Sequence, residues 1–485
     1  MFIIIVYHIS NSVKGDAHKS LLWSGIQQFV VFGIQFGVGV LLARLLNPYD
    51  FGVIAMQGVF FAISSAFIDC GLEGALIQKK ECTKADANSA FIYSITISVA
   101  LYVLLFLAAP IIEDFYHTPN LGKVIRISAL VLMINAVGIV PRSLLQRQLR
   151  FKELAVASTT IQFAAGLVAV LMAYHGYAYW ALVGQTLLAA GLMAVAYYVY
   201  TRWWPSFQFS MESFRQLISF GLPMLFTALV HALYNNLYSL VIGKQYDARQ
   251  LGLYNRAENY SCYVSYNLSD MSMRALYPIL SRVQDDLIQL KVAALRILHA
   301  SAFIVVPINI FLLVKAEDII CILLTDKWLE MAPLMQVMCV STLAYVVSNL
   351  HFNLFKAIGR TQILFICEFI KKILGILILL LTFQYGLLVM VWGLLFYAVL
   401  NILVSSYFVY RFVGITLWEQ GKEVYVVALN ALAPILVCFF VGYMVDQLYL
   451  RFTLSFVSYF IIYALMAWFE KDKTIDFLKG YFLKG

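Results

Sequence analysis

The sequence predicts an all-α polytopic membrane protein of about fourteen transmembrane helices, built as two parallel-repeat six-helix lobes around a central cavity, with two further helices at the C-terminus. Three observations predict it. Of the 485 residues, 62% are hydrophobic and only 12% charged, whereas about a quarter of a soluble domain carries charge. The apolar residues fall in runs of about 20, enough to cross a hydrocarbon core about 30 Å thick, without the period-two alternation of outer-membrane strands. A segment that follows the first run also returns after the seventh, at an offset of 200 residues.

Residues 1–18 read as an N-terminal tail: they start apolar but lack a positive beginning and a small-residue cleavage site. Runs bounded by charge, glycine or proline then lie at 21–43, 52–72, 88–111, 123–141, 154–174 and 178–200, within a first lobe of 19–205. A second lobe of 206–412 holds 216–242, 254–280, 293–314, 332–354, 362–383 and 386–410. Residues 413–485 add 424–445, 449–469 and a cytoplasmic tail. With the N-terminus inside, 21 lysines and arginines fall on inside segments and 8 on outside ones, which predicts two cytoplasmic termini and an even number of spans. That bias also accounts for the formal charge of +8, so no nucleic-acid partner is expected. Seven cysteines are scattered singly, without Cys-x-x-Cys or clustering with histidine, so neither a disulfide framework nor a metal site is expected.

The repeat aligns Ala43-Arg44-Leu45-Leu46-Asn47-Pro48-Tyr49-Asp50-Phe51-Gly52 with Gly243-Lys244-Gln245-Tyr246-Asp247-Ala248-Arg249-Gln250-Leu251-Gly252. Both have a base, an Asn or Asp three residues on, and a Leu/Phe-Gly opening the next span. A weaker echo pairs Leu145-Gln146-Arg147 with Leu354-Phe355-Lys356. Blocks of six spans keep the same orientation, so the repeats are related by an axis along the membrane normal, with a substrate cleft between them.

Charge inside a span costs about 2.5 to 3.5 kcal/mol per residue and therefore needs a reason. The eighth span carries a polar stripe of Arg256, Asn259, Tyr263, Asn267, Asp270 and Arg274 at helical spacing, with Glu258 beside it. The eleventh holds Glu368, Lys371 and Lys372, about 15 Å in from Thr361. The second ends on Asp69 and Glu73, one turn apart in a continuous helix. Uncharged polar residues gather on the first, second and seventh spans: Gln28 and Gln35; Gln57, Ser64 and Ser65; His231, Asn235 and Tyr238. Their competing use is helix-to-helix hydrogen bonding, and that of the charges is local pairing or snorkelling. Pro223 is placed to bend the seventh span.

No catalytic constellation stands out, and no Gly-x-x-x-x-Gly-Lys loop is present, so neither an enzyme nor direct use of ATP is expected. His231, His299 and His351 are isolated within spans, and no cofactor is implied.

Residues 43–52, followed by Gly71-Leu72-Glu73-Gly74-Ala75-Leu76-Ile77-Gln78, resemble the amino-terminal signature of the polysaccharide transporter family. So do Gly252-Leu253-Tyr254-Asn255-Arg256-Ala257 and Tyr277-Pro278-Ile279-Leu280-Ser281-Arg282. The chain is similar to Wzx-type flippases of the multidrug/oligosaccharidyl-lipid/polysaccharide exporter superfamily, in the branch of the colanic-acid and teichuronic-acid exporters. The resemblance covers residues 19–415. It departs at Val264, where the pattern leads one to expect proline, and at Asp270, an acid on a helix that meets an anionic substrate.

What the resemblance implies is alternating access in a bacterial inner membrane. The substrate would be an oligosaccharide repeat unit of O-antigen, capsule or exopolysaccharide on undecaprenyl pyrophosphate, carried from the cytoplasmic to the outer leaflet. A polysaccharide polymerase and a chain-length regulator are the implied protein partners, with membrane lipid around the chain. Arg256, Arg274, Lys371 and Lys372 would meet the pyrophosphate, and Asn235, Tyr263, Asn267, Gln28 and Gln35 the sugar hydroxyls. Asp69, Glu73, Asp270 and Glu368 are candidates for proton or sodium coupling, with membrane potential as the alternative drive. Two competing readings are a cation-coupled multidrug antiporter and a membrane-embedded glycan polymerase or ligase. The second usually needs a large outer loop, which this chain lacks.

Overall fold

A computed structural model describes residues 16–206 and 208–469. The side chains of residues 16–29, and of 263, 264, 271, 272, 274–276 and 278, lie outside that description. Among the described residues, fourteen long helical rods follow one another, joined by short turns and, between the ninth and the tenth, by a two-turn helix at Ala316–Leu323. They are α1 (Asp16–Leu45), α2 (Pro48–Gln78), α3 (Lys84–Tyr116), α4 (Leu121–Arg147), α5 (Phe151–Tyr174), α6 (Trp180–Thr201) and α7 (Met211–Gln245). Then come α8 (Ala248–Arg282), α9 (Leu287–Val314), α10 (Asp326–Ala357), α11 (Thr361–Thr382), α12 (Leu387–Val413), α13 (Leu417–Met444) and α14 (Leu448–Phe469). Eleven of these are long and apolar enough to cross a membrane. The full-length α8 and α11 are not among them, because each carries several charges within the span, and these two helices are also the richest in candidate site residues.

The rods divide into two compact units, one of the described residues up to 255 and one of those from 256 onward. In the first unit α1 lies along α5, where Gly166 admits Val38: a Cβ on that glycine would come within 2.5 Å of the valine. Then α5 packs on α6, α6 on α4 and α4 on α3, while α7 runs along α2 and α3. A core of Cys70, Leu72, Leu76, Phe91, Val140, Leu217 and Leu225 ties α2, α3, α4 and α7 together.

The aligned repeat forms the same local structure twice. Pro48 opens α2, where its missing N–H is harmless, and Asp50 Oδ2 accepts the Asn47 N–H at 2.9 Å. At the start of α8, Asp247 Oδ1 accepts the Gln250 N–H at 2.6 Å. The Asn or Asp that aligns at offset 200 is thus a helix cap in both copies.

α2 is not the continuous helix expected from the sequence. Cys70 (φ 44°) and Gly71 (φ 69°) are both left-handed, so Asp69 and Glu73 do not sit one turn apart on a single face. Asp69 instead caps the segment after the break, accepting the N–H of Gly71 at 3.2 Å and of Glu73 at 3.3 Å. The break follows from packing: a Cβ on Gly71 would lie 2.8 Å from the Gly221 Cα of α7. At its far end α2 is closed by Arg147, whose guanidinium donates to the carbonyls of Leu76, Ile77, Lys79 and Lys80. Pro223 lies inside an unbroken α7.

The second unit has two cores. One joins α8, α9, α10 and α12 through Leu280, Leu298, Leu350, Phe355 and Val409. The other joins α9 to α13 and α14 through Ala302, Phe311, Val427, Ala431, Tyr459 and Tyr463. Tyr459 donates to Pro307 O at 3.1 Å and Ala431 O at 2.9 Å, and Tyr463 to Phe303 O at 2.9 Å. The last two rods are therefore part of this unit rather than an appendage.

Candidate functional site

Two polar clusters and one seam emerge from this packing, each within a single unit. The seam is that of α2 with α7 and the first turns of α8. A Cβ on Gly52 would lie 1.6 Å from Ala248 O, and a Cβ on Gly252 would lie 1.8 Å from Pro48 O. Position 52 meets 248 and position 252 meets 48, so the contact is reciprocal under the 200-residue offset, the self-complementary form of a two-fold interface. At the other end of α2, a Cβ on Gly221 would lie 2.0 Å from Cys70 O. Nineteen residues separate Gly52 from Gly71, about 28 Å of helix and close to the thickness of a hydrocarbon core. Glycine lets backbone touch backbone at both ends of the seam.

The first cluster lies in the second unit. Asp270 Oδ1 accepts from Tyr345 Oη at 2.8 Å and from Asn349 Nδ2 at 3.0 Å, and Asn353 Nδ2 donates to Asn349 Oδ1 at 2.9 Å. Tyr266 packs on Tyr345 with ring centroids 4.2 Å apart. The adjoining face of α8 is buried and carries Ala257, Ser261, Ser265 and Ser269 at four-residue spacing. Ser265 Oγ reaches Asn309 Oδ1 and Thr342 Oγ1, both at 3.1 Å, while Ser261 Oγ donates to Met335 O at 3.2 Å. Small hydroxylic residues thereby bring α8 close to α9 and α10 and leave the charged stripe at the margin of the packed face.

Along that margin Arg256, Asn267 and Asp270 are half-buried and Asn259 is exposed. On α11 the two lysines separate. Lys371 is buried and paired with Glu368, whereas its neighbour Lys372, turned by about 100° around the helix, is half-buried. Asn235 is exposed on α7, with Nδ2 2.9 Å from His231 Nδ1, and Gln35 is exposed on α1. The side chains of Gln28, Tyr263 and Arg274 lie outside the described residues.

His299 and His351, within spans, both find partners. His351 lies between Ser405 Oγ at 2.8 Å and Gln420 Oε1 at 2.9 Å, and His299 Nδ1 is 3.1 Å from Glu423 Oε2. Among the described residues no group of three or more His, Cys, Asp or Glu could hold a metal ion.

The second cluster surrounds a cavity of about 630 Å³ inside the first unit, between α2, α4, α5 and α6. Asp69, Glu73, Asn135, Arg142, Gln162 and Gln185 are among its lining residues. Glu73 Oε1 pairs with Arg142 Nε at 3.2 Å. Sequence reasoning missed most of this cluster and the α10 partners of Asp270, although traces were present. Tyr345, Asn349 and Asn353 recur every four residues, and Asn135 and Arg142 are seven apart.

The profile of a family described as polysaccharide biosynthesis protein matches residues 41–333. Among curated proteins, the chain is 24% identical over 371 residues to the lipopolysaccharide biosynthesis protein WzxC of Escherichia coli (strain K12), covering 75% of each chain. It is 25% identical over 401 residues to the teichuronic acid biosynthesis protein TuaB of Bacillus subtilis (strain 168), covering 82% of this chain and 83% of that one. Among solved structures, lipid II flippase MurJ in an inward closed conformation superimposes with a TM-score of 0.77 at 14% identity, over 93% of this chain and 99% of that one. An inward-facing multidrug resistance MATE family transporter gives 0.61 at 13% identity, over 84% and 98%.

Proposed function

We infer the function from one premise, that this chain belongs to the polysaccharide biosynthesis protein family: it is a multi-pass membrane flippase for lipid-linked oligosaccharide repeat units. The observation that carries the mechanism is the seam of α2 with α7 and α8, held by backbone contact of α2 with the start of α8 at Gly52 and Gly252 and with α7 at Gly71 and Gly221. A seam with a separate contact at each membrane face can part at one end while the other holds, and that is the geometry alternating access requires. Because the contacts are backbone to backbone, closure leaves no side-chain-sized gap.

The charge bias of the loops supports an inner-membrane protein with both termini in the cytoplasm, which puts the Gly52 and Gly252 contact at the outer face. Undecaprenyl pyrophosphate is the proposed carrier. Arg256 and Lys372, half-buried on two spans that each carry several charges, are the proposed pyrophosphate ligands, since phosphate in a low dielectric demands charge-assisted donors. Lys371 is better assigned to Glu368, its ion-pair partner. Arg274 remains a proposed third base. Asn235, Asn267, Gln35, Gln28 and Tyr263 are the proposed hydroxyl contacts along the path. Asp69 caps a helix and Glu73 and Glu368 form ion pairs, whereas Asp270 is held by the neutral donors Tyr345 and Asn349, so Asp270 is the proposed site of proton or sodium coupling. A polymerase and a chain-length regulator are the proposed recipients of the product on the far side.

The test is made in the producing strain and in vesicles. Arg256→Gln and Lys372→Gln are expected to abolish surface polysaccharide and to accumulate lipid-linked intermediates while the protein stays in the membrane. Full export by both variants overturns the assignment. Drug sensitivity on deletion, with surface glycan intact, would favour an antiporter instead.

A further inference from the structure

We propose that the cavity inside the first unit is a carbohydrate subsite that holds a neutral, hydroxyl-rich sugar of the repeat unit, apart from the bases proposed to take the pyrophosphate. The inference rests on the flippase reading. Asn135 of α4, Gln162 of α5 and Gln185 of α6 line the cavity, and among the described residues none of the three amides makes a hydrogen bond within the protein. Half-buried Gln162 and Gln185, with exposed Asn135, therefore offer free donors and acceptors to a polar ligand in the cavity.

The lining also selects among ligands. Asp69 and Glu73 against Arg142 leave an excess of one negative charge, so a pyrophosphate would meet net repulsion. A coupling ion fits no better. Asp69 is engaged by two backbone N–H groups and Glu73 by Arg142, and about 630 Å³ is far larger than a cage of oxygens at about 2.3–2.6 Å. That volume falls in the range of small-molecule sites. Sugar hydroxyls donate and accept, and so do carboxamides, while the Glu73–Arg142 pair supplies charge-assisted partners at one end and the Tyr197 ring an apolar wall. Gln185 and Tyr197 lie twelve residues apart on α6, so the lining extends over about 18 Å, longer than one ring. Ser65, Asn135 and Thr186 are exposed along it, so a ligand can enter.

The experiment uses the full chain in proteoliposomes with Thr186→Cys, followed by maleimide labelling against the wild-type background. Three probes are compared: lipid-linked repeat units extracted from the producing strain, the oligosaccharide released from them, and undecaprenyl pyrophosphate alone. Expected is a severalfold slower labelling with the first two and no change with the third, and a protecting concentration about tenfold higher when Gln162→Leu is added. Equal protection by the bare carrier lipid, or protection unaffected by Gln162→Leu, overturns the proposal. Flipping of the extracted lipid is followed in the same vesicles. Flipping without protection rejects the subsite and keeps the flippase reading, whereas absence of flipping by the wild-type chain rejects both.

Discussion

Lys371 and Lys372 are adjacent in sequence and have different fates, because 100° of helical rotation sends them to different neighbours. Lys371→Met is expected to destabilise the protein by about 1–3 kcal/mol, since Glu368 loses its partner in a span. Replacing Glu368 as well is expected to restore most of the stability in a thermal unfolding series in detergent. Lys372→Gln is expected to remove export while the protein stays in the membrane. The same reasoning applies to Asp270, which two donors hold in place. Asp270→Ala orphans Tyr345 Oη and the Asn349 amide, at about 1–3 kcal/mol, whereas Asp270→Asn retains an acceptor oxygen and is expected to cost less. If the two variants melt alike, the hydrogen bonds to Tyr345 and Asn349 do not hold the cluster.

Individual helices add constraints that no single side chain expresses. The seam of α2 with α7 and the start of α8 rests on glycines whose replacement has nowhere to go, since the obstructing atoms are backbone carbonyls. Gly52→Ala or Gly252→Ala is expected to hold the helices apart at one end and shift the conformational balance, with a penalty of about 1–3 kcal/mol on the closed end. The measurement is disulfide formation between Pro48→Cys and Ala248→Cys, which is expected to fall in the Gly52→Ala background. Gly221→Ala is expected to act on the opposite end and leave that crosslink intact. A crosslink equally weakened by both substitutions would show that the two ends do not move separately.

At the scale of the whole molecule, α13 and α14 complete the second unit. Tyr459 and Tyr463 hydrogen-bond to α9, and Gln420 of α13 reaches His351 of α10. Truncation after Val413 would strip one side of the core around Phe311, so membrane levels of the shortened protein are expected to collapse; normal levels and export would show these helices to be dispensable. Much of this architecture was legible beforehand. Span number and the repeat follow from hydrophobic length, helical period and the 43–52 and 243–252 segments, which are properties of contiguous residues. By itself the sequence also determined that α8 and α11 carry charge no lipid-facing helix would keep. Tertiary structure alone decided which partner each charge meets, because each pairing depends on residues far away in the chain. Asp270 finds Tyr345 across 75 residues, Glu73 finds Arg142, and Asp69 caps the segment after the break where Gly71 lies against Gly221. Local period fixes where a side chain points; only packing fixes what it meets.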